Sequence, residues 1–176
     1  KALNKNLKVV NKGFDFLLED LTAGKVDFVI SGMNPTPERE KQVDFSNIYY
    51  SAVQVVLIKE ADLEKYTSFE SLNVGTAIVG AQLGSIQQEL AETFVDANKQ
   101  IIKLVPDLVS RLSDGKIDAV ILEKPVADGF AARIDGLAIA NFSIGDPEDG
   151  TAVAVRKGSA DLLNTINAVL AELISS

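Results

Sequence analysis

One arginine, one glutamate and one glycine-rich helix start stand where short apolar runs end. Arg39 lies in SGMNPTPEREKQVDFS (Ser31–Ser46), directly after the run VDFVI (Val26–Ile30). GAQLGS (Gly80–Ser85), whose Gly80–Gly84 reads as a loop, follows a predicted strand, Val74–Val79, and opens a helix at Ser85. Glu123 follows the run Asp118–Leu122. In open α/β sheets, ligands sit beyond the carboxyl ends of parallel strands. A guanidinium takes a carboxylate through two parallel hydrogen bonds. The free N–H groups of Ser85, Ile86 and Gln87 at a helix start favour the same anion. Glu123 can pair with an ammonium. An α-amino acid needs that set of groups.

Each residue also has an ordinary reading. Arg39 within TPERE suits a solvated first helical turn, Ser85 suits a plain N-cap, and Glu123 beside Lys124-Pro125 suits a surface carboxylate. Phe14 suits the core. Their shared placement at strand ends is what points to a site.

The elements that must hold these groups are legible as an internal repeat. LLEDLTAGKVDFVI (Leu17–Ile30) matches LVSRLSDGKIDAVI (Leu108–Ile121), with Leu21 aligned to Leu112, Gly24 to Gly115, Lys25 to Lys116 and Asp27 to Asp118. Each copy predicts a helix with one apolar face, a glycine at its left-handed C-cap, and a short strand. Between the copies, Ser85 and Gln88 have the spacing of a capping box, and Ile86, Leu90, Phe94 and Val95 mark one face of the helix that follows. Near the end a strand, Thr151–Arg156, turns at Lys157-Gly158 into a helix capped by Ser159. Leu162, Leu163, Ile166, Val169, Leu170 and Leu173 are expected to line its buried side. Alternating strands and helices predict an α/β fold of mostly parallel sheets. SNIYYS (Ser46–Ser51) and the Gly145–Gly150 breaker run read as two connectors.

Composition bounds the function. The 176 residues are 47% hydrophobic, enough for a packed core, and carry a net charge of −8. That balance disfavours nucleic acid, whose phosphates need clustered Lys and Arg. Within these residues there is no Cys and no His, which removes disulfides, thiolate chemistry, Ser-His-Asp triads and ordinary zinc sites. No apolar run approaches the roughly 20 residues that span a bilayer.

SGMNPTPEREKQVDFSNIYY, GAQLGSIQQE and GKIDAVILEKPVAD together resemble the extracellular (type 3) solute-binding proteins of amino-acid ABC transporters, in family order along essentially all of the chain. The resemblance implies a two-lobe fold of the periplasmic-binding-protein type II class. Lobe 1 is expected over 1–50 plus 151–176 and lobe 2 over 53–145, with hinges near 49–53 and 146–151. It implies an extracellular or periplasmic receptor, lipid-anchored through a segment not in this sequence, that closes on a polar amino acid and delivers it to a membrane permease. No cofactor, metal or nucleic acid is expected.

Carried over by position, the resemblance gives Phe14 an aromatic contact, Ser31 and Gly32 backbone contacts, and Asn34 a polar contact. Arg39 takes the ligand carboxylate, Ser85 and Ile86 supply the second lobe's contacts, and Glu123 stands where the family usually has Asp. Ile86 replaces a common Thr or Gly, so only its backbone N–H carries over. Relatives open with a further strand and helix and continue past ELISS, so the chain reads as trimmed at both ends. Lobe 1 is accordingly expected to be disordered, rearranged or completed by a partner chain, as in a strand-exchanged dimer. A ligand-sensing receptor domain and a cyclohexadienyl-dehydratase-like enzyme, with Glu123 as its acid, are the alternatives.

Overall fold

The computed structural model describes residues 2–51, 53–145 and 150–175. The elements run α1 (Leu17–Thr22), β1 (Phe28–Val29), α2 (Pro37–Glu40), β2 (Val43–Phe45), β3 (Tyr50–Ser51), β4 (Gln54–Lys59) and α3 (Phe69–Leu72). Next come β5 (Ile78–Gln82), α4 (Ile86–Glu92), β6 (Asn98–Ile102), α5 (Val105–Ser113), β7 (Ala119–Glu123) and α6 (Lys124–Ala131). β8 (Leu137–Ile144), β9 (Gly150–Thr151), β10 (Ala154–Arg156) and α7 (Ala160–Ile174) complete the chain. They form two compact units, Lys1–Ser51 with Gly150–Ser176, and Ala52–Asp149.

The continuous unit is built on a five-stranded sheet of order β6-β5-β7-β4-β8. β5 pairs in parallel with β6 and β7, while β4 pairs antiparallel with β7 and β8. Four strands therefore share a direction and β4 alone is reversed. Successive side chains of a strand face opposite sides. Val56 and Ile58 of β4 and Ala119 and Ile121 of β7 pack with Tyr66, Leu72, Ala91 and Phe94 on one face. Val55, Leu57, Val120 and Leu122 pack with Leu108, Val109 and Leu112 of α5 on the other. Burial on both faces explains why β4 and β7 read as unbroken apolar runs.

The discontinuous unit has a three-stranded sheet of order β1-β10-β2, with both pairings antiparallel, and a separate β3-β9 ribbon. β10 lies in the middle of that sheet and runs against both of its neighbours. Leu21, Val29, Met33, Val43 and Ala154 form the core, with Phe14, Leu17 and Leu18 packed against it.

The repeat is reproduced bond for bond at its turns. Gly24 and Gly115 have φ of 73° and 72°, in the left-handed region that favours glycine. In the first copy, Gly24 N–H donates to the Leu21 carbonyl at 3.1 Å and Lys25 N–H to that of Asp20 at 2.9 Å. In the second, Gly115 N–H donates to Leu112 at 3.0 Å and Lys116 N–H to Arg111 at 2.8 Å. These are the paired bonds of a helix end with a left-handed cap.

Several boundaries differ from the expectations. The strand expected over Val74–Val79 starts at Ile78 and runs on through Gly80 to Gln82. Gly80 is a strand residue, and glycine suits it because a Cβ there would stand 2.9 Å from Leu108 Cδ2 of α5 and 2.8 Å from Ile117 Cδ1. The first repeat's strand, expected over Val26–Ile30, shrinks to Phe28–Val29. α4 ends at Glu92, so Phe94 and Val95 are not on its face; Phe94 is buried in the core and Val95 is exposed. The strand expected over Thr151–Arg156 is interrupted at Ala152 and Val153, where Ala152 N–H donates to the Met33 carbonyl. Ser159 occupies the N-cap of α7 without a side-chain capping bond.

The apolar stripe of α7 is not a buried side. No residue of that helix is buried, and Leu173 and Ile174 are 66% and 63% exposed. Periodicity reports an apolar stripe, not what lies opposite it. The expected connectors hold the β3-β9 ribbon; Ala52 and residues 146–149 of the two expected hinges lie outside the described residues.

Candidate functional site

In the discontinuous unit, the loop after β1 is turned by Gly32, whose φ of 56° a side chain would strain. Ser31 beside it is exposed. The loop then buries Met33 and Asn34. Asn34 Nδ2 donates to the Gly150 carbonyl at 3.1 Å, tying the loop to β9. α2 follows, with Thr36 as N-cap, whose Oγ1 accepts from Arg39 N–H at 3.4 Å, and Pro37 in the first turn.

That turn sets Arg39. Its residue is only 7% exposed, and its Nη1 donates to the Asn34 carbonyl at 2.9 Å. Its guanidinium carbon lies 5.7 Å from the centroid of the Phe14 ring, a cation–π distance. Phe14, Asn34 and Arg39 are thus brought together, and Ser31 and Gly32 lie in the same loop. The solvated reading of Arg39 does not survive its burial. A guanidinium held by one carbonyl and one ring face is pre-oriented for a planar anion such as a carboxylate.

In the continuous unit, α4 begins at Ser85. The Ser85 hydroxyl donates to the Gln82 carbonyl at 2.7 Å and accepts from Gln88 N–H at 3.3 Å. Gln88 Oε1 accepts from Gly84 N–H at 2.8 Å, one residue earlier than a capping box requires. Ser85 N–H donates to the Gln82 carbonyl, so it is not among the free N–H groups expected there. Those of Ile86 and Gln87, the first two of the helix, have no intrahelical partner.

Glu123 ends β7 and occupies the N-cap of α6, yet its side chain makes no capping bond. Its carboxylate has no hydrogen-bond or ion-pair partner among the described residues. Half-burial raises its pKa above the ordinary value, since desolvation penalises the charged form. Its neighbour Lys124 is held by Asp128, with Nζ at 2.9 and 2.8 Å from the two carboxylate oxygens.

Two polar side chains were missed by the sequence reading, which used only the backbone N–H of the second. Gln54 opens β4 as the cross-strand partner of Glu123, and Gln87 lies in the first turn of α4. Gln87 Nε2 donates to Gln54 Oε1 at 2.9 Å. A glutamine at the start of an apolar run carries no signal by itself; only strand register puts it beside Glu123. Among the described residues no group of three or more His, Cys, Asp or Glu is placed to hold a metal ion. No described helix is long and apolar enough to cross a membrane.

Comparison with known proteins shows what the chain as a whole is similar to. The family model for bacterial extracellular solute-binding proteins, family 3, matches residues 1–176. The arginine-binding extracellular protein ArtP of Bacillus subtilis (strain 168) is 36% identical over 189 residues, covering 98% of this chain and 69% of that protein. The crystal structure of an amino acid ABC transporter substrate-binding protein from Streptococcus pneumoniae Canada MDR_19A, bound to L-arginine, superposes with a TM-score of 0.93 at 34% identity. It covers 98% of this chain and 72% of that one. The ancestral amino acid-binding protein AncCDT-1, a precursor of cyclohexadienyl dehydratase, superposes with a TM-score of 0.90 at 31% identity, over 99% of this chain and 74% of that one.

Proposed function

Because the chain belongs to the bacterial extracellular solute-binding proteins, family 3, we propose that it captures a polar amino acid, L-arginine first among them, and delivers it to an ABC importer. Arg39 takes the ligand's carboxylate, helped by the N–H groups of Ile86 and Gln87. Glu123 takes its ammonium, and Phe14 and the Ser31–Asn34 loop shape the approach. The ligand's carboxylate and ammonium would each then meet an opposite charge, and such a pair is stronger where water is excluded. The net charge of −8 favours approach of a cationic ligand over an anionic one.

The observation that carries this reading is Arg39, buried and oriented by the Asn34 carbonyl and the Phe14 ring. Arginine is preferred because ArtP and the Streptococcus pneumoniae structure carry it. The test is calorimetric titration with L-arginine and with agmatine, which is arginine without its carboxylate. L-arginine binding at least about 100-fold tighter than agmatine supports the reading, since an unpaired guanidinium forfeits a charge-assisted pair. Equal affinities overturn it.

A second reading has one observation behind it. The raised pKa of Glu123 would also suit a general acid, as a dehydratase needs. We read the chain as a binder and not an enzyme. Nuclear magnetic resonance of a cyclic carboxylate such as prephenate, incubated with the protein, separates the two; an unchanged spectrum supports the binder and turnover supports the enzyme.

A further inference from the structure

Gln54 is 1% exposed and its carboxamide is half used. Oε1 accepts from Gln87 Nε2 at 2.9 Å, while Nε2 is buried with no hydrogen-bond partner among the described residues. A buried amide donor left unmade costs free energy, so a native chain that keeps one calls for a reason. The strand register supplies it. Gln54 and Glu123 are directly opposed in the antiparallel β4–β7 pair. They continue the face on which Val56 and Ile58 oppose Ile121 and Ala119. Opposed residues stand with their Cβ atoms about 5 Å apart, and both side chains here are long enough for their heads to meet.

The complementarity is specific: one donor without an acceptor beside one carboxylate without a donor. Lys124 is held by Asp128, and Glu89 of α4 is exposed. The remaining cross-strand neighbour of Gln54, Ile144 of β8, offers no charge.

We propose that Gln54 is a positioning residue for Glu123: its Nε2–H donates to the ionised Glu123 carboxylate, while its Oε1 holds Gln87. The three side chains then act as one unit. This rests on the reading of Glu123 as the ammonium partner for its ligand consequence, and on geometry alone for the hydrogen bond. A carboxylate fixed in one rotamer meets a ligand's ammonium without losing that freedom on binding.

The experiment titrates the carbon-13 carboxyl resonance of Glu123 in the ligand-free protein and in Gln54→Met, which keeps the length of the side chain and removes the donor. A donor to the charged form lowers a pKa, so its loss is expected to raise that of Glu123 by about half a unit to one unit. Gln54→Leu is the second variant and carries the same expectation. An unchanged titration in both overturns the proposal, whether or not arginine binds. In parallel, Gln54→Met is expected to weaken L-arginine about tenfold in the unsubstituted background and not at all in Glu123→Gln. Equal weakening in both backgrounds overturns the coupling. A shifted titration together with no arginine binding by the unsubstituted protein supports the hydrogen bond and removes the ligand reading instead.

Discussion

Arg39 Nη1 donates to the backbone carbonyl of Asn34 at 2.9 Å, and this single bond joins the helix that carries the cation to the loop that carries the polar contacts. The same Asn34 carbonyl accepts from Thr36 N–H at 3.1 Å, and its side chain reaches Gly150. Loop, helix and returning strand are fixed around one buried residue. Burying a cation is expensive unless hydrogen bonds and charge partners meet it, so a guanidinium held this way has its orientation fixed.

Phe14 should matter through Arg39. Replacing it with Leu keeps apolar bulk but removes the ring face under the guanidinium. A cation–π contact of this kind contributes about 0.5–2 kcal/mol. Phe14→Leu is therefore expected to weaken L-arginine by roughly twofold to thirtyfold, read by calorimetry. Unaltered affinity would show that the ring serves the core alone.

Glu123 sets a pH dependence with a definite sign. Its folded-state pKa lies above the ordinary carboxylate value because burial disfavours the charged form. Such a group's contribution to stability is fully present below the unfolded pKa of about 4.3. It is lost as pH rises through the folded pKa. Glu123→Gln removes that loss. Its melting temperature should exceed the parent's at pH 7 and match it near pH 4, followed by scanning calorimetry without ligand. A variant that melts lower than the parent at pH 7 would contradict the assignment.

The two apolar helix stripes should not be equal. Leu112 of α5 is fully buried between the sheet and its helix, whereas Leu173 of α7 is 66% exposed. Leu112→Ala is expected to cost about 2–5 kcal/mol. Leu173→Ala is expected to stay within about 0.5 kcal/mol. Urea unfolding measures both, and a Leu173→Ala cost near that of Leu112→Ala would mean that something covers the stripe in solution.

These elements also mark what was legible in the sequence. The helix ends at Gly24 and Gly115 were readable because a left-handed turn leaves a glycine and a lysine at fixed places after the last apolar residue. The strand cores of β4 and β7 were readable because burial on both faces leaves an unbroken apolar run. Gly80 misled because a glycine forced by a crossing helix looks like one forced by a turn. Phe94 and Val95 misled because the helix stops before them while the apolar spacing continues. Gln54 and Gln87 were silent, since their meaning comes from strand pairing and from the contact between α4 and β4. Ser85 was recognisable as a cap, but the use of its N–H by Gln82 depends on turn geometry that spacing does not encode.

The central claim is that Arg39 receives a ligand carboxylate, and the most direct measurement is calorimetric titration of L-arginine into Arg39→Ala and Arg39→Lys. Removing one partner of a buried charge pair typically costs about 3–5 kcal/mol. Arg39→Ala is thus expected to weaken binding by more than about 100-fold, and Arg39→Lys, which keeps the charge but loses the two-pronged geometry, by less. Affinity equal to the parent's in a folded Arg39→Ala protein would contradict the account.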